Sequence, residues 1–349
     1  MVANSMKLYL NRENLIHNME YLQRYKGKKV LSVVKANAYG HGMEEIVGIL
    51  YESGQREFAV ARYVEAERIL KMGLSGVRIL IFESIGDFSL VKDKKEIEVS
   101  ANTLDELKKL VEFGIESERI QLKIDFGFGR NGVLLEDIEE LKNYIEARDL
   151  KFRGIYSHLF SVNYEEGLEY ITIFGGILNN LGRDRFEMIH LQNSAGILNF
   201  DCEYVTHIRT GMLIYGLQEV GFFDPNLRQV FSLEGEVAGV RDISHNKYIA
   251  YGTKEELGFV GAKYIAKIKI GYADGYLKVN EGGNCLINNK EFPVALVSMD
   301  NTFIEVDSSV KEGDRVVLYH DISKVVAHNK MNIYEMLTIL NPRIERVIK

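Results

Sequence analysis

The sequence predicts an α/β protein in two parts: an N-terminal (β/α)8 barrel of the TIM type, followed by a mostly-β C-terminal domain. Three observations predict it. Between residue 30 and about 217, eight short apolar runs alternate with amphipathic segments. After about residue 229 the rhythm changes to β-type runs joined by turns. The chain has 349 residues, about twice a typical single domain.

The eight runs are 30–34, 58–61, 78–82, 96–100, 120–126, 152–157, 188–191 and 207–214. Helix-like stretches lie between them, at 63–72 and at 104–113. Thr103 with Glu106 three residues on opens the second of these as a capping box, and Leu104, Leu107 and Val111 repeat at helical spacing. Strand and helix alternating eight times over about 200 residues fits a closed barrel; an open doubly wound sheet has fewer strands. In the second part the runs are 230–240, 248–251, 264–272, 285–287, 302–306 and 316–319. Asn288-Asn289 reads as a hairpin turn because Asn tolerates positive φ. A last amphipathic helix, 333–340, stops before Pro342. The domains are expected at 9–229 for the barrel and 230–349 for the β-rich domain.

Composition narrows the function. Lys+Arg 43 against Asp+Glu 50 gives a net charge of −7, so there is no global basic field for a nucleic-acid backbone. Cys202 and Cys285 fit neither a disulfide framework nor a zinc ligand set and are expected to be buried thiols; no metal site is expected. No stretch has the length of a signal-peptide core or a membrane span, so a cytoplasmic protein is expected. With no Trp and 19 Tyr, phenolic chemistry falls to tyrosine.

Catalytic groups in such barrels sit at the C-terminal ends of the strands. The first strand ends in Lys35-Ala36-Asn37-Ala38-Tyr39-Gly40-His41-Gly42. A lysine emerging there from an apolar collar loses solvation, which lowers its pKa and makes its amine a usable nucleophile. The fifth ends in Lys123 followed by a glycine-rich loop, in which Gly127, Gly129 and Gly132 satisfy G-x-G-x-x-G. A dinucleotide site also needs an acidic residue closing the next strand, but that run ends in Ser157-His158, so a loop carrying Arg130 inward fits better. The sixth strand ends at His158, the seventh at His190-Leu191-Gln192-Asn193-Ser194, and the eighth carries Arg209-Thr210-Gly211-Met212. Asn, Ser and backbone amides beside a glycine suit phosphate, and the loops after strands seven and eight are its usual place. A lysine opposite a phosphate cradle suggests pyridoxal phosphate.

The segment 33–42, Val-Val-Lys-Ala-Asn-Ala-Tyr-Gly-His-Gly, resembles the cofactor-lysine motif of alanine racemases, fold-type III pyridoxal phosphate enzymes. The resemblance runs nearly the whole chain. Segment 123–132 resembles the family's K-x-D-T-G-M-G-R-x-G, 190–195 its H-x-x-N-S-A, and 209–216 its R-x-G-x-x-x-Y-G. Tyr251-Gly252-Thr253, Gly271-Tyr272-Ala273-Asp274-Gly275 and Ser298-Met299-Asp300 are similar to second-domain motifs. The resemblance implies that the N-terminal strand, within residues 1–8 and reaching about Leu10, joins the β domain. It further implies that Lys35 forms the internal aldimine and is one base, while Tyr251 from the second subunit of a head-to-tail homodimer is the other. Racemisation needs two bases, one on each face of a planar carbanion. His158 and Arg209 resemble residues coupling that tyrosine to the cofactor ring. Tyr39, Asn193, Ser194, Gly211 and Met212 fall at cofactor-binding positions, chiefly around the phosphate. Arg130 would hold the cofactor hydroxyl and substrate carboxylate, Lys123 matches a lysine often carried as a carbamate, and Met299 and Tyr272 would complete the substrate side.

The implied activity is interconversion of L- and D-alanine, supplying D-alanine for peptidoglycan. Some positions depart from the family. Phe126 and Phe128 replace its Thr and Met, Leu296 an arginine, and Asn163 and Lys278 stand where Asp and Arg are usual; Pro342 falls near a phosphate-contacting tyrosine of some members. Those changes leave open a serine-accepting or broader racemase. A non-catalytic pyridoxal phosphate carrier lacks the second domain, so Tyr251 and Met299 argue against it. No glycine-run phosphate loop or decarboxylase cysteine motif is present for a fold-type III decarboxylase.

Overall fold

The computed structural model of the chain describes residues 6–160, 163–218 and 224–349; residues 1–5 of the expected N-terminal strand lie outside these. Contacts divide the chain into two compact units. One holds Glu13–Ala38 and Ile46–Gln229; the other holds the described part of Met1–Arg12, with Tyr39–Glu45 and Val230–Lys349. Tyr39–Glu45 therefore groups with the β-rich unit, although it is contiguous in sequence with the barrel.

The first unit is the expected parallel barrel. Its strands are Lys29–Val33, Glu57–Val60, Arg78–Ile81, Ile97–Ala101, Ile120–Asp125, Phe152–Tyr156, Phe186–His190 and His207–Thr210. The first seven pair in parallel in chain order, and the eighth pairs back on the first, His207 opposite Lys29. The ring closes between strands seven and eight through Thr206, whose N–H donates to Ile189 O (2.9 Å) while its Oγ1 accepts from Ile189 N–H (2.8 Å). Most strand residues are buried, as strands covered on both faces must be. The eighth run ends earlier than the apolar pattern predicts. Leu213 N–H turns back to Thr210 Oγ1 (3.2 Å), and Leu213–Tyr215 form a 3-10 turn.

Local signals set the helices. Thr103 caps Leu104–Phe113 by accepting from Glu106 N–H (3.0 Å), and the Glu106 carboxylate reaches back to Asn102 N–H (2.9 Å). The barrel's floor is charged. Arg153, 4% exposed, donates to Glu98 (2.6 Å), Glu57 (2.5 Å) and Glu187 (2.5 Å), and Glu57 also holds His207 (2.9 Å). Three carboxylates around one guanidinium satisfy groups that would be costly to bury singly.

The second unit is a nine-stranded sheet in the order Gly239–Asp242, Tyr264–Ile268, Thr302–Val306, Lys290–Val297, Asn284–Ile287, Arg315–Val317, Phe231–Glu236, Lys7–Leu10, Glu345–Ile348. The N-terminal strand lies antiparallel to Phe231–Glu236 and parallel to Glu345–Ile348, as the resemblance implied. The run 230–240 is two strands, because the chain changes neighbours at its middle: Val237 N–H donates to Asp314 O and Ala238 N–H to Lys267 O. Asn288 and Asn289, at φ 49° and 65°, form the expected turn between Ile287 and Lys290. The last helix is Ile333–Thr338. The strand after the Asn288-Asn289 turn is Lys290–Val297, whose extent was not anticipated, nor were the strand Glu345–Ile348 and the helix Ile322–Asn329.

Among the described residues no helix is long and apolar enough to cross a membrane, and no group of three or more His, Cys, Asp or Glu is placed to hold a metal ion. Both cysteines are free and buried.

Candidate active site

Lys35 leaves the first strand directly into a turn of reversed hand. Ala36, Asn37 and Ala38 take φ and ψ near +50°, and Tyr39 continues at φ 54°. Left-handed residues with a Cβ cost about 1–2 kcal/mol each, so the surroundings must hold this turn. Ala38 N–H donates to Val34 O (2.9 Å), Ala36 N–H to Glu65 Oε1 (2.6 Å), and Arg68 donates to Asn37 Oδ1 (2.9 Å). Burial lowers the Lys35 pKa, and the Arg130 and Arg209 charges lower it further against Glu65 and Glu83. The neutral amine needed for nucleophilic attack is thereby favoured.

Asp125, at the end of the fifth strand, organises the glycine-rich loop. Its carboxylate accepts from Gly127 (2.9 Å), Phe128 (2.7 Å), Gly129 (2.9 Å) and Arg130 (3.1 Å), all through backbone N–H groups. Four amides that a dinucleotide phosphate would need thus point at the chain's own carboxylate, which disposes of the G-x-G-x-x-G reading. Gly132 closes the loop at φ 138°, where a Cβ would stand 2.5 Å from Asp125 N. Arg130 emerges exposed, its guanidinium 4.6 Å from the centre of the Phe128 ring. Phe128 packs on His158 (5.0 Å) and Phe160 (5.2 Å), and Phe126 stacks on Tyr170 (5.1 Å).

Arg209 joins two histidines. Its Nη1 donates to His190 Nδ1 (2.7 Å), and its Nη2 donates to Ser157 O (3.0 Å) and His158 Nδ1 (3.3 Å). Arginine can only donate, so both Nδ1 atoms accept and the proton of each ring sits on Nε2. His190 Nε2 then donates to Gln121 Oε1 (2.7 Å), and Gln121 Nε2 to Glu98 Oε2 (2.5 Å). One hydrogen-bond chain therefore runs from Arg209 through the barrel core to the charged floor. Both rings are neutral. Burial, with the Arg209, Arg130, Lys123 and Lys35 charges, lowers the His158 pKa to about 3; burial and Arg209 push His190 well below its ordinary value. Lys123, 5% exposed, has its pKa lowered to about 8, mainly by burial and then by Arg130 and Arg209. Four cations thus act on His158, a setting that suits a phosphate-bearing anion and a carboxylate.

The remaining barrel positions are structurally tied. Asn193 caps Ser194–Asn199 by accepting from Gly196 N–H (2.9 Å), and Ser194 Oγ lies 3.0 Å from Thr210 Oγ1. Gly211 and Met212 are buried beside them in sequence, at the end of the eighth strand. Tyr215 is fully buried and donates to Val33 O (3.4 Å), a packing residue under the first strand.

The β-rich unit presents three of the expected residues outward. Tyr248–Ile249 and Gly252–Thr253 form a ribbon with Ala250 (φ 48°) and Tyr251 at its two-residue tip, leaving Tyr251 89% exposed. Behind the tip, Ile249 packs with Ile243, Ala262 and Ile265, and buried Lys254 donates to Ile243 O (2.6 Å) and Ala262 O (2.8 Å). Tyr272 and Met299 belong to stapled loops: Tyr272 N–H donates to Ser298 O and Ala273 N–H to Met299 O, each at 3.0 Å. Gly271 makes this possible, since a Cβ would stand 2.2 Å from Ser298 O. Arg343 brackets the loops through Asp274 and Asp300, both at 3.0 Å. Tyr39, also in this unit, sets its ring 5.7 Å from that of Tyr334.

Of the positions that depart from the family pattern, Asn163 caps its own helix through Glu165 and Glu166 N–H, and Leu296 is buried opposite Phe303 in the sheet. Lys278 and Pro342 are exposed. The structure gathers Lys35, Lys123, Arg130, His158 and Arg209 at one end of the barrel. Sequence reasoning missed Glu65, Asp125 as a loop organiser, and the chain His190–Gln121–Glu98. Asp125 carried a signal, a carboxylate directly before three closely spaced glycines; the others have partners 19 or more positions away.

Comparison with known proteins adds an independent line. The chain matches the family model "Alanine racemase, N-terminal domain" over residues 10–219 and "Alanine racemase, C-terminal domain" over 230–348. It is 31% identical over 354 residues to the alanine racemase of Fusobacterium nucleatum, covering 97% of this chain and 98% of the relative. It is 29% identical to that of Methanococcus maripaludis, covering 99% of each. In fold it is similar to the alanine racemase crystal structures from Oenococcus oeni (TM-score 0.87, 22% identity, 99% of each chain) and Bartonella henselae (TM-score 0.84, 22% identity, 100% of each), the latter described with covalently bound pyridoxal phosphate.

Proposed function

The chain belongs to the alanine racemase family, and on that premise we propose that it interconverts L- and D-alanine by a two-base mechanism, with Lys35 as one base and Tyr251 of a second subunit as the other. The observation that carries the reading is the barrel-end cluster: a lysine with lowered pKa flanked by Arg130 and Arg209, beside a neutral His158.

Pyridoxal phosphate bound at Lys35 would supply the electron sink that makes an amino acid's α-proton acidic. The donor set fits such a group. Arg209 would face its ring nitrogen, and because guanidinium stays charged it would keep that nitrogen unprotonated. Tyr39, Asn193, Ser194, Gly211 and Met212 would hold the phosphate end. Arg130 would take the ring hydroxyl and the substrate carboxylate, and a carbamate on Lys123 would orient Arg130 by its negative charge. A pKa near 8 gives Lys123 the neutral fraction that carbamate formation requires.

Lys35 would remove or return a proton on one face of the substrate's α-carbon and Tyr251 on the other. A phenol is a weak base at neutral pH, and His158 is suited to help it. With Nδ1 accepting from Arg209, the proton on Nε2 is the one available to hold a phenolate oxygen. Tyr251 is exposed on a hairpin tip, and Met299 and Tyr272 are exposed on stapled loops; both features support a homodimer in which these residues complete the neighbour's substrate site. The full-length relatives named alanine racemase support alanine as the substrate. The product D-alanine would serve peptidoglycan synthesis in the cytoplasm, a compartment that two unpaired cysteines suit.

Incubation with single-enantiomer amino acids tests this. L-alanine is expected to lose optical purity, with serine slower. No loss with any amino acid, and no visible absorbance from a lysine-bound cofactor, would sink the reading.

A further inference from the structure

The left-handed turn after Lys35 is held by side chains of one helix, Tyr63–Lys71. Glu65, the third residue of the helix, accepts at Oε2 from Ala61 N–H (2.9 Å) and Arg62 N–H (3.0 Å), which is ordinary capping. Its second oxygen does something else. Oε1 accepts from Ala36 N–H at 2.6 Å, the first amide after the cofactor lysine. One turn along the helix, Arg68 donates to Asn37 Oδ1 at 2.9 Å. Two consecutive residues of the strained turn are thus tied, by backbone and side chain, to one helix face. A glutamine at position 65 would cap the helix as well as glutamate does. The need for a carboxylate comes from Ala36, because an amide cannot accept there and at the helix start together.

We propose that Glu65 and Arg68 are positioning residues for Lys35: they hold the left-handed turn and so fix the direction in which the lysine amine leaves the barrel wall. Neither touches the reacting atoms. Their effect is transmitted through Ala36 and Asn37, and the proposal rests on Lys35 being the cofactor lysine. The charged groups acting on Lys35 are Arg130 and Arg209, which disfavour its ammonium, and Glu65 and Glu83, which favour it. Glu65 therefore has a positional and an electrostatic effect that separate experimentally. Glu65→Gln changes both, while Arg68→Met removes the hydrogen bond to Asn37 and leaves the carboxylate in place.

The full-length enzyme is stripped of cofactor with hydroxylamine and reloaded with pyridoxal 5′-phosphate. Uptake is followed by visible absorbance across pH, the site of attachment is mapped by borohydride trapping and peptide analysis, and melting temperatures are recorded. Both variants are expected to reload about tenfold more slowly, the loss of one charge-assisted hydrogen bond, with melting temperatures near the parent's. The pH midpoint of reloading is expected to move down in Glu65→Gln only, since removing a nearby negative charge destabilises the ammonium. Arg68→Met decides the positional claim even if Glu65→Gln does not fold. Reloading of Arg68→Met at the parent's rate, or slowing in either variant that merely tracks a fall in melting temperature, overturns the proposal. A parent enzyme that takes up no cofactor at Lys35 overturns the functional reading itself, and the two failures are distinct.

Discussion

At the scale of single residues, protonation states follow from burial and from one-sided charge. His158 and His190 stay neutral where an unfolded chain would take up a proton near pH 6.5. Below that pH the unfolded state binds more protons, so native stability falls as pH drops below about 6.5, for His158 down to about 3. Each histidine contributes a slope of about 1.4 kcal/mol per pH unit. Urea denaturation of His158→Asn between pH 6 and 5 is expected to show a slope shallower by about that amount; an unchanged slope would mean His158 is protonated in the native protein. Lys123 works in the other direction. Its pKa near 8 favours reaction of the amine with carbon dioxide, and 13C-labelled bicarbonate is expected to give a carbamate resonance in the parent that Lys123→Ala lacks.

At the scale of elements, loops are shaped by what their backbones bind. Asp125 anchors four amides with two oxygens. Asp125→Asn keeps one of those oxygens, so a loss of about 1–3 kcal/mol is expected. The displaced Arg130 should raise KM for alanine more than it lowers kcat; a fall in kcat with KM unchanged would argue that Arg130 acts in the transition state alone. The Tyr251 hairpin is the contrasting case. Its tip is exposed, so Tyr251→Phe is expected to alter stability by less than about 0.5 kcal/mol while crippling racemisation in both directions and leaving solvent exchange of the α-proton for one enantiomer only.

The same contrast explains what the sequence could reveal. The barrel strands were legible because apolar runs alternate with amphipathic helices, and the Asn288-Asn289 turn because two asparagines tolerate positive φ. The strand Lys290–Val297 was obscured by Pro293 and by the bulge between Val294 and Leu296. Lys35, Arg130, His158 and Arg209 were legible as polar residues ending successive strands. Glu65, Gln121 and Glu98 were not, because each acts through a partner that only folding brings near. Asp125 lay in plain view, but its glycines drew attention to an external phosphate when the anion they wrap is their own neighbour.

At the scale of the whole molecule, the proposed chemistry draws on both units. The barrel holds the lysine, arginine and histidine cluster; the β-rich unit turns Tyr251, Tyr272 and Met299 to solvent. On the proposed mechanism the exposed Tyr251 would serve a second chain, and a head-to-tail pair would let each subunit complete its neighbour's site. The central claim is therefore that each site takes Lys35 from one subunit and Tyr251 from the other. Mixing tests it most directly. Lys35→Ala and Tyr251→Phe chains, each nearly inactive, are dissociated together, reassociated in equal amounts with cofactor, and assayed for racemisation of L-alanine. Half the dimers should be mixed and carry one intact site of two, so activity should recover to about a quarter of the parent's. Activity no greater than the sum of the two separate variants would contradict the shared site.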